Sequence, residues 1–186
     1  MNHRLEDVIA LFDGLFQDTF ATRLVRGDDE PLYLPADADT PFHRVIFARG
    51  FYASALHEIS HWCIAGEGRR QWEDYGYWYL PDGRDAVEQH DFEAVEVAPQ
   101  ALERLFSRAC GLGFHISVDN LGGDVEVDRE AFLARVEARA ERYESEGLPP
   151  RAAAFRCALH RFYRESASLE AAIVSGRGWL VAPLPA

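Results

Sequence analysis

The sequence predicts a single α+β domain with more helix than strand, and three observations carry that reading. Apolar residues recur at helical spacing in several long stretches. Short alternating or proline-broken runs lie between them. No internal repeat or low-complexity linker divides the 186 residues, of which 48% are hydrophobic and 12% aromatic, enough for one core.

Leu5, Ile9, Leu11, Phe12, Leu15 and Phe16 predict a first helix over 5–20. Prolines at 31, 35 and 41 break "PLYLPADADTPFHRVIF" into a loop or short edge strands. A second helix is expected from about 47 to 65, with Gly66 as its stop. "DYGYWYLPDG" alternates Tyr75, Tyr77 and Tyr79 against Gly76 and Trp78, which reads as a strand turning at Asp82-Gly83. A third helix is expected over 92–110, then strand and turn signals in "GFHISVDNLGGDVEV". Helices over 129–144 and 151–164 follow, parted by the breaker "EGLPP". The last ~20 residues, closing on "SGRGWLVAPLPA", read as an irregular tail.

The 31 acids and 19 bases leave a formal charge of −12, which disfavours nucleic acid and anionic membrane surfaces as partners. All the bases are arginine, so the protein has no lysine of its own. No apolar run approaches the ~20 residues of a membrane span. The N-terminal stretch carries acids inside its apolar pattern and reads as an amphipathic helix rather than a signal peptide. Cys63, Cys110 and Cys157 include no C-x-x-C pair, which suggests free thiols in a reducing cytoplasm. A cytoplasmic monomer is expected.

The second helix carries the chemistry. Its "HEISH" is an H-E-x-x-H motif, whose i, i+4 spacing lets His57 and His61 converge on one metal ion. Wound at about 100° per residue, the helix gives Ala48, Phe51, Tyr52, Ala55, Leu56, Ile59, Trp62 and Cys63 one apolar stripe. The two histidines fall opposite it, among Gly50, Ala53, Ser54 and Ala65, which leaves room for an ion and a substrate.

A third ligand is needed, and "DFEAVEVAPQALERLF" is the next dense source of carboxylates. Glu93, Glu96, Gln100 and Glu103 share one helical face there. Glu96 is the expected ligand, because E-V-A-P-Q resembles the E-x-x-[AS]-[ND] segment that supplies a carboxylate in many H-E-x-x-H proteins. Glu93 is the reserve. Pro99 fits only a first turn or a kink, which would place Glu96 near a helix start.

Two histidines and a carboxylate match both zinc peptidases and the facial triad of non-haem Fe(II) oxygenases. In a peptidase or amidase Glu58 would be the general base toward the attacking water. In an oxygenase it would orient water, protons or a ligand. The third histidine of the metzincins is absent, its position being Glu67. Other H-E-x-x-H proteins make a zincin-like fold the expectation, although fold does not decide chemistry. Around the site, Tyr75, Tyr77 and Trp78 can wall a pocket for a cation, with Asp82 adding negative charge. Arg69, Arg70 and Arg84 can clamp an anion or pair with neighbouring acids.

"PFHRVIFARGFYASALHEISHWCIAGEGRR", "YGYWYLPDGRDA", "FEAVEVAPQALE" and "VDNLGGD" together resemble the bacterial elongation factor P hydroxylases, over roughly residues 5–165. The resemblance implies an enzyme that completes a modification of elongation factor P, hydroxylating a target lysine already extended with a β-lysyl group. It implies a divalent metal, Fe(II), with dioxygen as co-substrate, and His57 and His61 match the family's metal-binding histidines. Because elongation factor P is itself acidic, the arginines Arg69, Arg70 and Arg84 are the expected contact with its surface.

Overall fold

Ala21, in the left-handed region at φ 47°, ends the first helix and turns the chain straight into a strand. The computed structural model describes residues 2–74, 83–118, 120, 125 and 127–180. Within them α1 (Leu5–Phe20) buries Val8, Leu11, Phe12, Leu15 and Phe16, as its periodicity predicts. The strand after it, β1 (Thr22–Arg26), has no counterpart in the sequence reading. It pairs in parallel with β3 (His43–Phe47), Leu24 opposite Val45. β2 (Leu32–Leu34) pairs antiparallel on the other side of β3, with Tyr33 also opposite Val45. The order is therefore β1-β3-β2. β2 is an edge strand as expected, but β3 is central, because Pro41 precedes it and leaves its backbone donors free for two neighbours.

The metal-motif helix α2 spans Tyr52–Ile64, five residues shorter at its start than expected. Phe47 closes β3, and Arg49 (φ 54°) and Gly50 (φ 69°) make a left-handed turn that no helix can include. Phe51 is thereby left outside the apolar stripe and is 62% exposed. Ala65 ends α2 in extended conformation, so Gly66 is not the stop.

α3 (Ala86–Cys110) starts six residues before its expected position and puts Glu96 and Pro99 in its interior. Asp85 and Glu88 form a capping box that begins it: Asp85 accepts from the Val87 and Glu88 N–H groups, and Glu88 accepts from the Asp85 N–H. Pro99 removes the donor that the Val95 carbonyl would use, and exposed Val95 leaves that turn beside solvent.

α4 (Arg129–Glu146) and α5 (Pro150–Tyr163) follow the sequence reading closely. The expected irregular tail instead contains α6 (Leu169–Arg177), capped by Ser168 and packed on α5. The strand expected in "GFHISV" has no ladder partner among the described residues: the Ser117 N–H and carbonyl bond the Gln100 side chain. The expected "YGYWYLPD" strand lies outside the described residues, and its neighbour Asp74 makes an isolated antiparallel bridge with Tyr33.

Among the described residues, α1 to α6 and the sheet share one core. Phe12 contacts both Trp62 and Phe155, with ring centroids 5.1 and 6.2 Å away, and Phe155 meets Phe106 at 5.1 Å. This joins α1, α2, α3 and α5 behind the metal-motif helix. Among the described residues no helix is long and apolar enough to cross a membrane.

Candidate metal centre

α2 and α3 pack against each other, and three side chains meet between them. His57 and His61, one turn apart, bring their Nε2 atoms to 3.1 Å. From α3, Glu96 places Oε1 3.2 Å from His61 Nε2 and Oε2 3.6 Å from His57 Nε2. Metal–ligand bonds of about 2.0–2.2 Å put neighbouring ligand atoms roughly 2.8–3.6 Å apart across octahedral and tetrahedral angles. The three separations therefore match one face of a coordination shell. The donor types, two imidazoles and a carboxylate, suit a divalent transition metal.

The surroundings fix these groups. Glu103, two turns beyond Glu96 on the same face of α3, lies 2.9 Å from His57 Nδ1. A neutral His57 therefore carries its proton on Nδ1, donates it to Glu103, and turns the Nε2 lone pair toward the centre. Gln100 Nε2 donates to Glu96 Oε2 at 3.1 Å.

Charge follows the same geometry. Burial works against a charged His57, but the Glu103 hydrogen bond and the Glu96 and Glu103 charges outweigh it and lift the imidazole to about 10. Burial likewise opposes ionised Glu96, yet His61 and His57 hold its carboxyl well below the usual carboxylate range. For Glu58 burial prevails over the two histidines, and its pKa is raised.

A cleft opens beside His61 and Glu58. Leu32, Val45, Trp62 and Ala65 give it apolar walls, and Tyr33, Arg69, Arg70 and Asp74 a polar rim. Arg69 Nε pairs with Asp74 at 2.5 Å, and the Arg70 guanidinium lies over the Phe20 ring at 5.7 Å.

The structure thus gathers His57, His61 and Glu96 at one point and sets Glu58, Arg69 and Arg70 along the adjoining cleft. It keeps Glu93 apart, paired with Arg135 at 3.1 Å and with Gln89. Arg84 does not join Arg69 and Arg70 at the cleft rim. It is 1% exposed, bonded to Gln89 at 2.8 Å and stacked on Phe92 at 3.9 Å. A guanidinium held in this way is part of the interior, as its place beside the α3 capping box dictates. Tyr75, Tyr77, Trp78 and Asp82 lie outside the described residues. Glu103 is the residue to which sequence reasoning gave no role. Its only signal was its position on the helical face of Glu96.

The chain matches the family described as elongation factor P hydroxylase over residues 11–173. It is also 51% identical over 163 residues to a Haemophilus influenzae protein described as elongation factor P lysine hydroxylase. That alignment covers 88% of this chain and 91% of the relative.

Proposed function

The chain belongs to the elongation factor P hydroxylase family, and on that premise we propose that it hydroxylates the β-lysylated target lysine of elongation factor P, the last step of that modification. The enzyme is an oxidoreductase of the protein-lysine hydroxylase type. The observation that carries the chemistry is the meeting of His57, His61 and Glu96 at ligand-to-ligand distances of 3.1–3.6 Å. These three residues would hold a divalent metal, Fe(II) in this reading, which when bound supplies the activation of dioxygen. One oxygen atom enters a C–H bond and the other leaves as water, so an external reductant must provide two electrons. Cytoplasmic action by a monomer, without nucleic acid, completes the reading.

The chain's own residues prepare this reaction. Glu103 holds the His57 Nδ1 proton and so keeps Nε2 free to ligate. The walls of Leu32, Val45, Trp62 and Ala65 suit the aliphatic stem of a long side chain and exclude water from it. Glu58 and Asp74 supply negative charge for its ammonium groups, and Glu58, whose pKa burial raises, can also take or give a proton within the cleft. Arg69, exposed at the rim, and Arg70 beside it are the contacts offered to an acidic protein surface. Tyr75, Tyr77, Trp78 and Asp82 remain the proposed further walls of the substrate pocket. The zincin-like comparison is supported by one local feature, a motif helix beside a sheet whose edge strand β2 lines the cleft.

Intact-mass analysis of β-lysylated elongation factor P, incubated with iron-loaded enzyme and a reductant, tests the proposal. The expected result is a gain of one oxygen atom, lost with His57→Ala or His61→Ala. Full activity in both variants would sink it. Glu58→Gln should retain metal and lose turnover if Glu58 handles protons.

A further inference from the structure

One buried amide joins the metal centre to a chain segment that lacks a strand partner among the described residues. Gln100 is fully buried on α3, one turn beyond Glu96. Its Nε2 donates to Glu96 Oε2 at 3.1 Å and to the Ser117 carbonyl at 2.7 Å, and its Oε1 accepts the Ser117 N–H at 3.0 Å. A primary amide has two N–H donors and one carbonyl, so both ends are engaged. Flipping the amide would set its oxygen against a carboxylate and a carbonyl, so only one orientation satisfies the network.

Other amides hold the same stretch of chain. Gln89 Nε2 donates to the Val118 carbonyl at 3.4 Å. Asn120 bonds both the N–H and the carbonyl of Arg84, each at 2.8 Å. Ser117, Val118 and Asn120 are thus held against α3 and the Arg84 backbone just before it by side-chain amides where a sheet would use backbone groups. Of these amides, Gln100 is the one that also touches Glu96. In a close-packed interior such a link transmits displacement, because breaking either end leaves a buried polar group unsatisfied.

We infer that Gln100 is a positioning residue that sets the orientation of the Glu96 carboxylate and couples it to the chain at Ser117, Val118 and Asn120. A shift of that segment, for instance under a bound protein substrate, then alters the metal centre through a single side chain. The inference rests on Glu96 being a metal ligand.

Cobalt(II) titration of the full-length protein, followed by its visible absorption, tests this without any hydroxylation assay. Gln100→Met, similar in length but unable to bond, should weaken cobalt binding roughly ten- to a hundredfold and change the absorption band. In a Glu96→Ala background the same substitution should add nothing. Asn120→Ala, which loosens the far end of the segment, should weaken cobalt binding severalfold in the wild-type protein and have no effect beside Gln100→Met. A purely structural Gln100 would show additive losses in both cycles. Additivity, or wild-type affinity and spectrum in Gln100→Met, overturns the inference. Wild-type protein that takes up no cobalt overturns the metal reading first, and the coupling with it.

Discussion

His57 has two bonds to satisfy, and they set how the centre responds to pH. In metal-free protein its pKa is lifted to about 10, above the ordinary histidine value near 6.5. The sign follows from linkage: the ionic contact with Glu103 and Glu96 contributes its full stability below pH 6.5 and loses it as pH rises through about 10. Metal-stripped protein should therefore show a falling melting temperature across that window, and Glu103→Gln should flatten the fall. An unchanged slope in that variant would refute the assignment. Metal must displace the same proton, so calorimetric titrations at pH 8 in buffers of different ionisation enthalpy should report release of about one proton per ion. At this scale the histidines were plain in the sequence because five residues of one helix contain them. Glu103 was not, because a carboxylate on a helical face acquires a role only when another element brings a ring nitrogen to it.

The elements carry the site by how they begin, end and cross. Arg151 of α5 donates to the carbonyls of Cys63 and Ala65 at 3.1 and 2.6 Å, closing the C-terminal end of α2. Arg151→Ala should cost about 1.5–3 kcal/mol in denaturant unfolding, the range for hydrogen bonds from a charged group. Asp85→Ala, removing the α3 capping box, should cost about 1 kcal/mol. At Gly176 an added Cβ would lie 2.7 Å from the Ala154 carbonyl oxygen and 2.8 Å from Leu15 Cδ2. Gly176→Ala should therefore destabilise by about 1–3 kcal/mol through the α5–α6 crossing. A neutral result would mean that α6 does not pack as closely as this.

Periodicity alone was enough for α1, α4 and α5. It misplaced the start of α3, where the D-x-x-E of Asp85–Glu88 was the better signal, and the start of α2, where a left-handed Arg49-Gly50 turn intervenes. β1 went unread because five residues between a helix and a turn have too little pattern to separate strand from loop.

Across the whole molecule, the metal would tie two long helices through the same core that holds them. A divalent ion at about a hundredfold its dissociation constant should add about 2.7 kcal/mol of stability, read as a rise in melting temperature. His61→Ala should show no such rise. Phe16, fully buried and in contact with Trp62 at 4.8 Å, backs the motif helix. Phe16→Ala is expected to cost about 3–5 kcal/mol, with loss of metal affinity following loss of fold.

What the sequence determined by itself was local or compositional: the helix-rich α+β class, the H-E-x-x-H turn that carries His57 and His61, and the strings that resemble a hydroxylase family. These signals depend on neighbours a few positions apart. What only the tertiary structure decided was which acid meets the histidines, which arginine faces the cleft, and which amide bonds that acid. Glu93 and Glu96 differ by one helical turn, and the packing of α3 on α2 and α4 sends one to Arg135 and the other to His57 and His61. Arg84 and Arg69 are alike as residues, but burial against Phe92 withdraws one and leaves the other at the rim. Long-range contact sets these choices, because a carboxylate or guanidinium takes its role from the charges and donors folded against it.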